Sequence, residues 1–315
     1  MSALLEIKNL NLFFGENQAL YDINLKFDIG KIHTLAGESG CGKTMTAMSI
    51  LRLLPKSAII KSGEIIFEGN NLLYNSEKQM QKLRGNKIAL IPQDPMTSLN
   101  PLYTIGDQII ESILAHSHVS HHQARRKARE VLDLVKITDI ECKMKFYPHE
   151  FSGGMKQRII IAMALAGNAK LLIADEPTTA LDVTIQKQIM DLLIEIKKEF
   201  GTTILLISHD LALVSNYADS ISVMYSGHIV EEACAEEFFK NPIHPYSLAL
   251  LNSLPNKNPM LKLKTIEGAP PSIDEKISGC KFHPRCDFCK PELCTVKIPV
   301  IEEKFTNHYS ACLVK

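Results

Sequence analysis

A chain of 315 residues with 45% hydrophobic side chains has room for one large domain, or for one domain and an appendage, and is expected to bury a real core. Its 35 basic and 35 acidic side chains cancel, which excludes a nucleic-acid binder that works through bulk positive charge. Apolar runs such as "IIIAMALAG" and "TILLIS" fall far below the roughly 20 residues of a membrane span, and "MSALLEIKNL" lacks the basic and long apolar regions of a secretory leader. The chain is therefore expected in the cytoplasm, where thiols stay reduced.

In chain order, two aromatics, Phe13 and Phe14, come first, in "NLFFGE". The sharpest signal follows in "KIHTLAGESGCGKTMTAMSILRLLP" (Lys31–Pro55). Gly37, four residues, then Gly42-Lys43-Thr44 fits a nucleoside-triphosphate loop, with an apolar strand over Ile32–Ala36 before it. After it the spacing of Met45, Met48, Leu51 and Leu54 predicts a helix stopped by Pro55. Glycines let backbone amides wrap phosphate oxygens, and the helix N-terminus adds its positive end. The nucleotide would lie along Gly37, Glu38, Ser39, Gly40, Cys41, Gly42, Lys43, Thr44 and Met45. Lys43 would reach the β- and γ-phosphates and the Thr44 hydroxyl would ligate magnesium. Cys41 is most simply a small residue in this loop.

Gln93, in "LIPQDPMTSLNP", sits at the end of a second short strand. From about Thr97 to Arg158 strand signals fade and helices dominate, one of them polar through "HHQARRKAREVLDLV". His116, His118, His121 and His122 lie in this region without acidic or cysteine partners, so they read as a solvated helix face. "YPHEFSGGMKQR" then places Ser152, Gly153 and Gly154 ahead of a helix, a hydroxyl and glycine amides suited to a second anion site. "KLLIADEPTTALD" reads as a buried parallel strand delivering Asp175 and Glu176 at its C-terminal edge. Asp175 would hold magnesium and Glu176 would polarise the attacking water as general base. Ile185, Ile189, Leu192, Ile196 and Phe200 recur at helical spacing up to a Gly201 stop, and "TILLISHD" is a further strand ending at His209. Alternating strands and helices predict an α/β architecture.

Two phosphate-binding elements far apart in one chain suggest sites shared between two subunits, and here the sequence resembles the ATP-binding-cassette (ABC) ATPases. The resemblance implies an α/β nucleotide-binding domain over 1–240 with a mixed sheet core and a helical subdomain at about 97–158. It makes Gln93 a magnesium-sensing residue that contacts membrane subunits, Asp182 a communicator across the dimer interface and His209 a γ-phosphate contact. Phe14, with Phe13 as the alternative, would stack on adenine. Ser152, Gly153 and Gly154 would close over ATP held by the partner's phosphate loop; Phe151 stands where the family's signature has Leu. Catalysis would fall to Glu176, His209, Gln93 and Lys43, with Thr44, Gln93 and Asp175 around magnesium.

"NPIHPYSLALLNSLP" (Asn241–Pro255) and "EGAPPSI" resemble the C-terminal region of the oligopeptide, dipeptide and nickel importers, which implies a small extension over 241–315. That extension collects Cys280, Cys286, Cys289, Cys294 and Cys312. Four thiolates can hold tetrahedral zinc or an iron–sulfur cube, and zinc knuckles favour two tight Cys-x2-Cys pairs where this tail has one, Cys286 and Cys289. A set of reduced thiols is the third reading. The subgroup resemblance implies a [4Fe–4S] cluster on Cys280, Cys286, Cys294 and Cys312, with Cys289 as the alternative ligand. The whole then reads as the ATPase subunit of a di- or oligopeptide importer. It would lie on the cytoplasmic face of the membrane with two permease subunits, a paralogous ATPase or a second copy, and an extracytoplasmic binding protein. Nickel or metal-chelate import, and a soluble ABC ATPase of iron–sulfur assembly, are the alternatives.

Overall fold

The computed structural model describes residues 3–179, 181–254 and 265–314, and its contacts gather into two units: residues 1–73 with 207–315, and residues 74–206. The stretch 255–264, where the segment Asn241–Pro255 ends, lies outside the described residues.

The first unit opens with β1 (Ala3–Phe14), β2 (Asn17–Asp28), β3 (Ile32–Ala36), β4 (Ala58–Phe67) and the two-residue β5 (Asn70–Asn71). β1 pairs antiparallel with both β2 and β4, giving the order β2-β1-β4-β5. The pairing slips at Ile7/Leu10, where Asn9 takes a left-handed φ of 47°. Across from it Asp22 is also left-handed, and Asn11 closes the irregularity by donating to the Asp22 carboxylate at 2.7 Å and accepting its amide at 3.1 Å. Such bulges break the alternation of inward and outward side chains.

The second unit contributes β6 (Ile88–Ile91), β7 (Leu171–Asp175) and β8 (Thr203–Ser208), with β7 between the other two and β6 parallel to it. β7 and β8 are buried at every position, as expected of parallel strands covered on both faces. Between Ile91 and Leu171 the chain is helical with no strand, including helices Ile105–His116, His121–Leu134 and Gly153–Leu165. The polar helix is capped by Ser120 and Gln123 in a reciprocal capping box and buries only Ala124, Ala128, Val131 and Leu132. His121 and His122 are exposed in its first turn.

The chain returns to the first unit within β8 and adds β9 (Ser220–Tyr225), β10 (His228–Cys234), β11 (Glu302–Phe305) and β12 (His308–Ser310). These run in the order β11-β12-β10-β9-β3, with β3 parallel to β9 and the rest antiparallel. The C-terminal extension is latched here by Glu231, fully buried on β10. Its carboxylate accepts the amides of Ile243 and His244, each at 2.8 Å, and stands 2.7 Å from Nε2 of the equally buried His308. His244 in turn accepts the Tyr246 amide on Nδ1, capping helix Pro245–Asn252; burial pushes its imidazole down to about 3, so it stays a neutral acceptor. The "NPIHPY" stretch is thus a turn tied to one carboxylate. Glu231→Ala strands two buried amides and His308 together. It is expected to cost about 3 kcal/mol in chemical denaturation, with earlier proteolytic release of the extension.

Two helices differ in detail from the sequence expectation. The helix after the phosphate loop ends at Leu51, with Arg52 left-handed, before reaching Leu54. Met45 and Met48 are half-buried, whereas Thr46 and Ser49 are buried because their hydroxyls bond back to Gly42 and Met45 carbonyls. In helix Val183–Phe200 the buried face is Ile189, Met190, Leu192, Leu193 and Ile196, and Phe200 is 55% exposed beside the left-handed Gly201 cap.

Candidate active site

In the first unit β3 delivers the chain into the loop Gly37–Gly42, and helix Lys43–Leu51 leaves it. Gly37 has a φ of 149°, and a Cβ there would sit 2.2 Å from the Met224 carbonyl oxygen, so only glycine fits. At Gly40 a Cβ would meet nothing, which leaves that rim of the loop open. Lys43 is 5% exposed and folds its ammonium onto the Gly37 and Glu38 carbonyls, at 2.7 and 2.9 Å. These bonds are of the kind a phosphate oxygen can take over, so the donor set fits a triphosphate. Cys41 is buried, and burial raises its thiol above the usual range against the nearby Lys43 charge; it packs the underside of the loop.

Glu38 has all its polar groups engaged. Its carbonyl holds Lys43, its amide donates to the Tyr246 hydroxyl at 2.9 Å, and its carboxylate takes a two-pronged pair from Arg285 at 2.7 and 3.0 Å. Arg285 also donates to the Tyr225 hydroxyl and to the carbonyls of Glu267 and Gly268. Phe282 is buried against the rings of Tyr225 and Tyr246. Neither Arg285 nor Tyr246 stands out as a site residue in the sequence: the Glu38 pairing spans 247 positions, and no spacing rule reaches that far.

At the tip of the β1–β2 hairpin the Phe13 ring carries the Lys61 ammonium 3.8 Å from its centre, while Phe14 is half-buried. His209 is exposed directly after β8.

Around the tail, Cys280, Cys286, Cys294 and Cys312 line one small cavity with His244, Phe282 and Phe288; Cys289 is not among its walls. Burial, first of all, raises the Cys280 thiol above the usual range and pushes Cys286 up to about 11. Among the described residues no three or more His, Cys, Asp or Glu side chains form a group that could hold a metal ion. The four cysteines expected as ligands thus share a cavity without converging on one point.

The second unit carries the carboxylates and the Ser-Gly-Gly turn. β6 and β7 run parallel with Ile91 opposite Ala174, which brings Gln93 level with Glu176 just past the strand ends. Gln93 Nε2 donates to Glu176 Oε2 at 3.0 Å, and Thr179 donates its hydroxyl to the same oxygen at 3.0 Å. Glu176 has a left-handed φ of 47°, an uncommon conformation for a glutamate that sets the turn directly after β7. Asp175, at the end of β7, is 3% exposed. Ser152 caps helix Gly153–Leu165 by accepting the Met155 amide at 3.4 Å and is itself exposed. Gly154 has no room for a Cβ, which would lie 2.7 Å from Ile185. Asp182 caps helix Val183–Phe200 through the Ile185 amide at 3.0 Å. Thr179, which holds Glu176, carries no motif of its own; its place three residues after the carboxylate pair is the available signal.

The ABC transporter family matches residues 20–179, and the family described as "Oligopeptide/dipeptide transporter, C-terminal region" matches residues 230–294. The chain is 48% identical to the "Probable peptide ABC transporter ATP-binding protein y4tR" of Sinorhizobium fredii, covering 98% of this chain and 94% of that one. It is 46% identical to the "Oligopeptide transport ATP-binding protein OppD" of Bacillus subtilis, over 91% and 82% of the two chains. The OppD of Escherichia coli is 43% identical over 98% and 93%. Among solved structures, cbiO1 from Clostridium perfringens, part of the ABC transporter complex cbiONQ, superposes with a TM-score of 0.68 at 28% identity, covering 76% of this chain and 92% of that one. The dimeric cassette MJ0796 bound to ADP and Pi gives 0.65 at 27% identity, over 73% and 98%.

Proposed function

The chain belongs to the ABC transporter family, and from that premise we propose that it is the ATP-hydrolysing subunit of an importer that carries di- and oligopeptides across the cytoplasmic membrane. The observation that carries the peptide reading is the match of residues 230–294 to the oligopeptide/dipeptide transporter region, together with peptide-transport relatives at 43–48% identity over nearly the whole chain.

In this reading the Gly37–Met45 loop cradles the triphosphate and Lys43 exchanges its two loop carbonyls for β- and γ-phosphate oxygens. Thr44, Asp175 and Gln93 would hold a magnesium ion, which would screen the phosphate charge. Glu176, aimed by Gln93 and Thr179, takes the proton of the attacking water, and His209 contacts the γ-phosphate. Phe14 stacks on adenine, with Phe13, one face of which carries the Lys61 ammonium, as the alternative. Ser152, Gly153 and Gly154 of one subunit close over ATP on the Lys43 loop of the other, and Asp182 stands at that interface. Closure drives two permease subunits to switch access, and hydrolysis resets them.

Both halves of the composite site are present in this chain, so a homodimer is chemically competent; the subgroup resemblance favours a paralogous ATPase as partner. Among the described residues no helix is long and apolar enough to cross a membrane, which fits attachment to the membrane's cytoplasmic face through permeases. An extracytoplasmic binding protein would select the cargo.

For the tail, the reading is a [4Fe–4S] cluster on Cys280, Cys286, Cys294 and Cys312, four thiols that line one small cavity, with Cys289, which hydrogen-bonds to Cys294, as the alternative ligand. A single zinc ion needs its sulfurs about 2.3 Å away, whereas a cube accepts ligands spread further apart. Bound there, a cluster would staple a segment too short to bury its own core. Iron, sulfide and zinc are assayed after anaerobic purification: four irons and four sulfides per chain support it, and a metal-free, fully folded tail ends it.

The transport reading is tested by reconstituting the chain with its permeases and binding protein in liposomes. Peptide-loaded binding protein is expected to stimulate ATP hydrolysis and peptide uptake together. Stimulation by nickel chelates and not by peptides would replace the cargo, and failure to copurify with any permease would favour the iron–sulfur-assembly alternative.

A further inference from the structure

We propose that Arg285 is a positioning residue of the ATP site: through Glu38 it braces the phosphate loop, so the C-terminal extension sets the affinity for ATP. The inference rests on the loop being the ATP cradle and not on any metal in the tail. Lys43 folds onto the Glu38 carbonyl at 2.9 Å, beside its bond to the Gly37 carbonyl at 2.7 Å. The other two polar groups of Glu38 are both held by the extension. Tyr246 accepts its amide, and Arg285 grips both carboxylate oxygens from a side chain that is only 6% exposed. A guanidinium fork matched to a carboxylate fixes orientation as well as distance, which a lysine could not do.

The grip is itself anchored. Arg285 ends a short turn, His283–Arg285, whose preceding residue Phe282 is buried against Tyr225 and Tyr246. Tyr225 receives a hydrogen bond from Arg285 and Tyr246 receives the Glu38 amide, so one aromatic cluster holds both ends of the brace. Without the pair, Glu38 keeps its amide hydrogen bond to Tyr246 but loses the side-chain grip that fixes its orientation. The resting position of the Lys43 ammonium and the first bend of the loop then become an ensemble that ATP must order at its own cost. The expected signature is weaker binding with little change in the chemical step. The turn also lies between Cys280 and Cys286, the latter directly following Arg285 in the chain.

The test uses the full chain and three variants: Arg285→Gln, Glu38→Ala and the double. Mg·ATP affinity is measured by calorimetric titration, and KM and kcat for ATP in the assembled ATPase complex. Each single variant is expected to weaken ATP binding about tenfold, and the double no more than either single, because both remove the same contact. KM should rise accordingly with kcat held within about twofold, and Arg285→Lys should recover part of the loss. Wild-type affinity in Arg285→Gln, losses that multiply in the double, or a fall in kcat at unchanged KM would each overturn the proposal. Should Arg285→Gln loosen the tail, Glu38→Ala, whose change lies in the loop, decides alone: wild-type affinity there rejects the brace.

Discussion

Glu176→Gln is expected to bind Mg·ATP as the native chain does and to hydrolyse it about a thousandfold more slowly. The amide keeps the shape of the side chain and still offers an oxygen to Gln93 and Thr179, so the strained turn after β7 is retained. What it lacks is a basic oxygen to receive the proton of the attacking water. Binding and chemistry are therefore separated in one variant: equilibrium titration with ATP stays unchanged while phosphate release collapses. Residual hydrolysis within a few-fold of native would mean that another group aims the water, and the role given to the Gln93–Glu176–Thr179 arrangement would be withdrawn.

Ser152→Arg is expected to abolish turnover by about a hundredfold or more while leaving ATP capture at Lys43 intact. Ser152 is exposed at the start of a thirteen-residue helix whose first amides, on Gly153 and Gly154, are open to an anion. Arginine tolerates the exposed position, so folding is preserved, but its bulk fills the space that a partner's nucleotide must enter. The Ser152 hydroxyl also caps the helix, so a companion Ser152→Ala variant measures what loss of the cap does by itself. The composite-site reading requires the arginine variant to bind ATP and to fail in closure; weakened ATP binding by the isolated chain would instead place the serine turn against the chain's own nucleotide.

Much of this arrangement could be read from the sequence because buried parallel strands write themselves as unbroken apolar runs. Leu171–Ala174 and Ile204–Ile207 are such runs, Ile32–Ala36 is one interrupted by the buried His33 and Thr34, and the functional residues follow close to their ends. The antiparallel strands β1 and β2 are not legible, since bulges at Asn9 and Asp22 interrupt the two-residue alternation that marks a half-buried strand. The face of the helix after the phosphate loop was misjudged for a different reason: Thr46 and Ser49 satisfy their own hydroxyls and can be buried, freeing the methionines to lie half outside. A division near residue 240 follows chain order, whereas contacts group 207–315 with 1–73, a return of the chain that no local pattern announces. The brace from Arg285 to Glu38 belongs to the same class of long-range facts.

The central claim is that ATP is clamped between the Lys43 loop of one subunit and the Ser152 turn of its neighbour. A photoreactive side chain at Met155, in the first turn beyond Ser152, tests it most directly in the Glu176→Gln background, with the two subunits of the dimer carrying different tags. Irradiation with Mg·ATP is expected to link that helix to the partner's Gly37–Met45 peptide, and irradiation without nucleotide to leave the subunits separate. Crosslinks that never join those two segments while ATP is trapped would contradict the account.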